Sequence, residues 1–340
     1  MSNLKFITPS YYQHFRCIAD KCTDNCCIGW EIAIDSDTAC YYRAVDGDFG
    51  KRLQENITGD DTFILQNERC PFLNNKNLCD IIIHCGENHL CQICRDHPRY
   101  FEWYGDVKEG GIGLSCEEGA RLILTTDRVS FCEEQVDEAN EDVDDDLFAM
   151  LQDARAQLFS LLEKEKLSLS QKLSTLLIFA EKLQFFMDNP QAEEDDFVFA
   201  HETVSVNADD FVSVFADFEP IDEKWTEELQ QLPKDCSPPS KQQEQYMVNL
   251  CRYFLWRYFC KGVFDGEILS KVKLAVVSAL FIKLMCGACA DLAVWIEKAN
   301  LYSKEMEYSD ENRELFYDYT YDKDILSSSA LLCLIDNLLR

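Results

Sequence analysis

The chain has 340 residues, 18 of them cysteine, and its 62 acidic side chains outnumber the 32 basic ones to leave a net charge of -30. Such a field repels nucleic acid and anionic membrane and favours basic partners, besides keeping the chain in solution. Met1–Ser10 carries no apolar core or small-residue cleavage site of an export signal, and the longest apolar run, Leu274–Ile282, is far shorter than the roughly 20 residues of a bilayer span, so a cytoplasmic, reducing setting is expected.

The length favours two domains. In the first third, Glu31–Asp35 together with Trp30 alternates like a strand, while Asp37–Val45 and Phe49–Asn56 read as short helices. Gly105, Gly110, Gly111 and Gly113 mark a hairpin ahead of a helix opening near Cys116-Glu117-Glu118. Residues 133–146 are acidic and poor in apolar side chains and read as a solvated linker whose last aspartates favour a helix N-terminus. Beyond it, apolar residues recur at helical spacing in 147–162, 173–186, 247–258, 268–284 and 331–338, with an acidic, proline-bearing stretch between 190 and 239. No internal repeat is present. The predicted architecture is mostly α (α+β): a cysteine-rich domain over 1–132, a linker over 133–146 and a helical domain over 147–340, with an active cleft between the two domains. The halves differ in charge, with 13 basic and 20 acidic residues through 132 and 19 and 42 beyond.

Twelve cysteines fall in the first 132 residues, and nine of them are grouped: Cys17, Cys22, Cys26 and Cys27; Cys70 and Cys79; Cys91 and Cys94; and Cys116. Closely spaced thiols close a chelate without a long-loop entropy cost, so the pattern points to a soft metal rather than to disulfides. Cys91-x2-Cys94 suits a zinc knuckle, whereas the adjacent Cys26 and Cys27 diverge on a regular backbone, and the irregular spacing suits a larger iron–sulfur cluster; spacing leaves both open. Cys40, Cys85 and Cys132 are expected as buried small hydrophobes, and Cys236, Cys251, Cys260, Cys286, Cys289 and Cys333 as packing within the helical part. His97 reads as a locally satisfied histidine. Arg95 and Arg99 beside the thiols offer charge balance and forked donors for a carboxylate.

The ordered motifs Phe15-x-Cys17, Asn25-Cys26-Cys27-x-Gly29-Trp30, Phe49-Gly50-Lys51-Arg52-Leu53, Cys70-Pro71-Phe72-Leu73, Leu78-Cys79-Asp80-Ile81, Cys91-x2-Cys94-Arg95-x2-Pro98-Arg99 and Leu114-Ser115-Cys116-x-Glu118-x-Ala120-Arg121 resemble the flagellin lysine-N-methylase family (FliB type). The resemblance is strong over residues 9–124 and weaker around Arg252–Ser270. It implies methyl transfer from S-adenosylmethionine to lysines of flagellin, with a 4Fe–4S cluster (zinc as the alternative) held by Cys17, Cys22, Cys26, Cys27, Cys70, Cys79, Cys91, Cys94 and Cys116. Arg95 or Arg99 would then contact the cofactor carboxylate. Two positions depart from the pattern, His97 where an aromatic is usual and Glu117 where a proline is usual; neither is expected to touch a ligand. Gly110-Gly111-x-Gly113 is too short for a nucleotide-binding glycine loop, and there is no Cys-x3-Cys-x2-Cys run.

Methylating a lysine requires its neutral amine, and aromatic walls suit the product cation; Tyr11, Tyr12, Trp30, Tyr100, Trp103 and Tyr104 lie near the thiols in sequence. The acidic surface suits a lysine-bearing client. The competing reading is a non-enzymatic, metal-stabilised module for a basic partner. A thiol-redox enzyme finds less support, because Cys91-x2-Cys94 lacks a thioredoxin-like context.

Overall fold

The computed structural model describes residues 2–29, 31–138, 142–199, 202, 204–232 and 237–339. Trp30 and Cys236, expected in an aromatic wall and in apolar packing, lie outside the described residues. Four strands, β1 (Ser2–Pro9), β2 (Arg99–Tyr104), β3 (Val107–Ile112) and β4 (Phe131–Glu138), form one sheet in the order β2-β3-β1-β4. β2 and β3 make the expected hairpin, while β1 runs parallel to β3 and antiparallel to β4. A Cβ on Gly111 would lie 2.2 Å from the Tyr100 hydroxyl, and one on Gly110 2.8 Å from the Phe6 ring. These glycines therefore admit aromatic rings across β3, which accounts for them without a nucleotide.

β4 takes in residues 133–138 of the stretch expected as a solvated linker. The reason is charge pairing across the sheet: Lys5 of β1 lies 2.9 Å from Glu133, and Lys108 of β3 lies 2.7 Å from Glu138. Lys108 also sits over the Phe101 and Trp103 rings at 4.6 and 4.7 Å, and Phe131 anchors the other end of β4 4.4 Å from the Trp256 ring. Conversely, the strand expected near 30–35 is reduced to a single bridge between Ala33 and Thr62.

Among the described residues the cysteine-rich segment carries four short α-helices, α1 (Ser36–Ala44), α2 (Gly47–Glu55), α3 (Asp80–Cys85) and α4 (Gln92–Asp96), and α5 (Glu117–Thr125) follows the hairpin as expected. Then come α6 (Asp145–Leu162), α7 (Leu169–Asp188), α8 (Ala208–Ser213), α9 (Glu223–Gln231), α10 (Lys241–Tyr258), α11 (Gly262–Asp265), α12 (Ile268–Cys286), α13 (Leu292–Glu307), α14 (Asp310–Asp322) and α15 (Ser328–Leu339). The fold is mostly α with a small sheet. None of the described helices is long and apolar enough to cross a membrane.

Every residue of α12 is buried, which fits its nearly unbroken apolar sequence. Its lysines are satisfied inside: Lys273 donates to the Thr320 carbonyl at 2.8 Å and Lys283 to the Gly287 carbonyl at 2.6 Å. The side chain of Gln184 on α7 caps α12 by accepting from the Ile268 and Leu269 amides at 2.9 and 3.2 Å.

Two apolar cores result. The larger joins the sheet to the helices, from Ile7, Tyr11 and Ile112 to Leu158, Phe254 and Phe281. Within it, Glu109 of β3 receives a forked hydrogen bond from Arg155 of α6 at 2.5 and 2.7 Å. The smaller core gathers Ile32, Tyr42, Leu53, Phe63, Phe72 and Ile81 around Cys70 and Cys91, with Cys27, Cys79 and Cys94 packed against it. The cysteine-rich segment thus has its own interior.

Candidate metal centre

The loops bearing the thiols are held by polar contacts between their neighbours. The Cys70 amide donates to the Cys27 carbonyl at 2.8 Å, and Leu73 bridges Cys79. Arg52 donates to Asp80 at 2.7 Å and to the Pro71 carbonyl at 2.5 Å, while Asn74 donates to the other Asp80 oxygen at 2.8 Å. Burial opposes the charge on Asp80, but the hydrogen bonds from Arg52 and Asn74 prevail and hold its carboxyl below the ordinary range. Asp35 accepts from the Thr38 amide at 3.0 Å and the Gln92 amide at 2.7 Å, tying α1 to the start of α4 and so to Cys91.

The nine thiols fall into two sets according to which of them influence one another. Cys70 and Cys91 belong to the small core and Cys27, Cys79 and Cys94 pack against it; ionising Cys70 or Cys79 would oppose ionisation of Cys27, and ionising Cys91, Cys27 or Cys70 would oppose that of Cys94. Burial pushes the Cys70 thiol up to about 11. Cys91 is lowered by a hydrogen bond from Cys94, whose own thiol is raised by the same contact and by burial. The second group is Cys17, Cys22, Cys26 and Cys116. Cys116 is raised to about 11, first by burial and then by Cys26 and Cys17; Cys22 is raised to about 12 by burial, with Glu117 and Cys116 adding to the effect. The groups meet at Cys26 and Cys27, which hydrogen-bond each other, leaving Cys26 lowered by that bond and by His97.

His97 and Glu117 are expected to touch no proposed ligand, but each contacts a thiol proposed as one. His97 hydrogen-bonds Cys26. Glu117 hydrogen-bonds Cys22 and also accepts from the Thr23 amide at 2.7 Å and the Thr23 hydroxyl at 2.9 Å, clamping the Cys22–Cys26 loop to the start of α5. Chain proximity concealed these contacts, because the loop and α5 meet only through the fold.

The donor set suits a thiolate-bound metal: soft donors, gathered from several loops, with sulfur–sulfur hydrogen bonds where metal bonds would form. Among the described residues, no three His, Cys, Asp or Glu side chains stand ready around a single ion. Outside the groups, Cys40 is exposed rather than buried, and Cys85 and Cys132 are half-buried. Cys251, Cys260 and Cys286 are buried packing as expected, but Cys289 lies exposed beyond the end of α12 and Cys333 is half-buried.

The second thiol group borders the helices. Lys304 of α13 lies 2.6 Å from Asp24, and the Ser115 hydroxyl donates to Tyr308 at 2.8 Å; the Tyr308 ring stands 6.5 Å from His97. Behind Tyr308 is a buried polar wall that sequence reading did not find. The fully buried Glu307 accepts from Tyr253 at 2.8 Å, Tyr258 at 3.0 Å and Ser303 at 2.6 Å, and pairs with Arg257 at 2.7 Å. The Tyr253 oxygen also accepts from the Leu114 amide at 3.3 Å, on the segment leading to Cys116. Arg257 stacks 4.3 Å from the Tyr100 ring. The two arginines expected near a cofactor differ: Arg95 is exposed, whereas Arg99 lies over the Tyr12 and Phe15 rings at 5.6 and 5.1 Å. Of the expected aromatic wall, Tyr11 and Tyr104 are core residues, while Tyr12, Tyr100 and Trp103 are half-buried.

Residues 198–334, which include this polar wall, match the FliB lysine N-methylase C-terminal domain. This part of the chain is similar to that FliB domain. The match lies in the helical part, where the sequence resemblance was weaker, and not on the cysteine motifs. The flagellar biosynthetic protein FliU of Salmonella muenchen is 28% identical over 134 residues, 36% of this chain and 79% of that protein. Two proteins named lysine-N-methylase, from Salmonella choleraesuis and Salmonella typhimurium, are 27% and 26% identical over 134 residues; the aligned part covers 33% of each. No solved structure matches.

Proposed function

We propose that the chain is a FliB-type protein-lysine N-methyltransferase that methylates flagellin in the cytoplasm, using S-adenosylmethionine and an iron–sulfur cluster held by the N-terminal thiols. The observation that carries the reading is the seating of the Cys17, Cys22, Cys26 and Cys116 group against helices of the domain matching FliB, through Lys304–Asp24 and Ser115–Tyr308. The names of the relatives supply the methylase and flagellar context. A bound cluster supplies a Lewis-acidic, redox-capable surface.

The chain's own residues serve the substrate amine and the cofactor in distinct ways. Transfer breaks the sulfonium–methyl bond and forms a nitrogen–methyl bond, so the lysine must shed its proton first. Tyr308, at the rim and 45% exposed, presents an aromatic face to an entering lysine and to the methylammonium that forms. Arg95, exposed at the end of α4, has donors available for the cofactor carboxylate, and Arg99 stands at the start of β2. The acidic surface draws in a lysine-bearing client.

The test is anaerobic purification followed by the visible spectrum, metal and sulfide content, and transfer of labelled methyl from S-adenosylmethionine to flagellin. A brown protein that labels flagellin lysines is the expected result. A colourless zinc protein without transfer would overturn the enzymatic reading in favour of a metal-stabilised module for a basic partner.

A further inference from the structure

We infer that the outer edge of β4 is a docking surface for an extended, lysine-bearing segment of a protein partner, which joins the sheet as a further strand. Taking that partner to be the substrate rests on the proposed lysine methylation; the edge and its charge belong to the fold itself. β4 ends the sheet order β2-β3-β1-β4, so its side away from β1 has no neighbouring strand among the described residues.

The register decides which backbone groups face outward. β1 and β4 pair without a break from Ser2–Glu138 to Pro9–Phe131, and just beyond them the Ser10 amide donates to the Ser130 carbonyl at 2.7 Å. Hydrogen-bonded pairs alternate in an antiparallel ladder, so Cys132, Glu134, Val136 and Glu138 turn their amides and carbonyls to β1. Phe131, Glu133, Gln135 and Asp137 turn theirs away. The other side of β1 agrees: the Lys5 amide, opposite Gln135, donates to the Asp106 carbonyl at 2.8 Å, toward β3. All the outward residues are exposed. Their N–H and C=O groups form the row that an added strand pairs with.

The side chains select the kind of strand. β4 carries Glu133, Glu134, Asp137 and Glu138 and no lysine or arginine. Lys5 and Lys108 answer Glu133 and Glu138 from within the sheet, but Glu134 accepts from the neutral Gln13 amide at 3.3 Å and Asp137 is exposed. Glu134 and Asp137 project to opposite faces, so a lysine on either face of an added strand meets a carboxylate opposite or diagonal to it. The same acids hold copies of this chain apart, because two acidic edges repel. At the other end of the sheet β2 presents Arg99 and a single acid, Glu102, which pairs with Lys261. Beside the Phe131 end of β4, β1 gives way to the turn Ser10–His14 and then Cys17. A segment running past that end emerges beside the turn that leads to the thiol loops.

The experiment uses the full-length protein and a peptide of alternating lysine and threonine as long as β4, with hydrogen exchange resolved to single amides and binding read by fluorescence anisotropy. Without peptide, the Glu133, Gln135 and Asp137 amides should exchange fast and those of Cys132, Glu134 and Val136 slowly; peptide should slow the first set. Gln135→Pro removes an outward N–H while leaving the β1 ladder whole, so it should weaken binding about tenfold, whereas Gln135→Thr should bind as the parent does. Glu134→Gln/Asp137→Asn should weaken binding and flatten its dependence on salt. The docking surface is overturned if bound peptide leaves the outward amides unprotected, or if a folded Gln135→Pro binds like the parent. Slow outward exchange that appears without peptide and grows with protein concentration would give the edge to a second copy and overturn it too. The exchange pattern is read in the parent, so the test stands even where Gln135→Pro unfolds. Methyl transfer to flagellin is assayed separately: labelling without protection of β4 sinks the docking surface and spares the methylase reading, and protection without labelling does the reverse.

Discussion

The buried pair of Arg257 and Glu307 offers the sharpest energetic test. Glu307 is fully buried, and Arg257 is its only cationic partner among the described residues; three hydroxyls complete its shell. Arg257→Met keeps the approximate volume but leaves a buried carboxylate facing only neutral donors. Breaking a buried ion pair from one side costs about 3–5 kcal/mol, whereas neutralising both sides costs much less. Arg257→Met should therefore shift the urea midpoint strongly, and Arg257→Met/Glu307→Gln should recover much of the loss, because an amide needs no cation. The same network holds the Leu114 amide through Tyr253, so the single variant should also loosen the approach to Cys116 and raise amide exchange there. A loss below about 1 kcal/mol for Arg257→Met, the range of an exposed ion pair, would refute the reasoning. So would a double variant whose loss equals the sum of the singles.

Asp80 titrates below its unfolded value, so its contribution is complete above the ordinary carboxylate range near pH 4 and fades as pH falls through its folded value. Acid unfolding followed by fluorescence should show this limb, and Asp80→Asn should remove it at some cost near neutrality. Lys273 is pushed down to about 8 by burial, so between there and the ordinary lysine value near 10.4 the unfolded chain holds more protons and stability should rise with pH. Lys273→Met should flatten that rise in denaturant titrations; an unchanged slope would remove Lys273 as its cause. Gly111→Ala should cost about 1–3 kcal/mol, because the new methyl would displace the Tyr100 ring, and thermal unfolding reads it directly. Glu117→Ala should leave the fold intact but weaken retention of metal against a chelator, since the Thr23 loop loses its clamp.

What the sequence shows and conceals follows from how far apart the interacting residues lie. The helices α6, α7, α10 and α15 were legible because apolar residues recur at helical spacing, α12 because it is apolar nearly throughout, and the β2–β3 hairpin because glycines punctuate it. α13 was not, because its inward face carries Asn300, Ser303, Glu305 and Glu307, which apolar periodicity scores as solvent-facing. Glu305 is buried because it accepts from the Ile221 and Asp222 amides at 2.8 and 2.7 Å, so its partners are backbone from a distant segment. β4 was concealed in the same way, its acids answered by Lys5 and Lys108 from other strands.

The thiols divide along this line too. Spacing reveals pairs such as Cys91 and Cys94, which chelate within a single turn. It does not reveal that Cys116 joins Cys26, because the contact that seats them, Glu117 to Thr23, spans 94 positions. A chelate closed within one short loop survives the loss of distant contacts, whereas one closed through the fold is sensitive to them. The two thiol groups should therefore respond differently to partial unfolding. In mild denaturant, Cys116 should become reactive to a thiol reagent before Cys91 and Cys94 do, with helix content tracking the first step; simultaneous reaction would show that the helical part and the small cysteine core unfold as one unit.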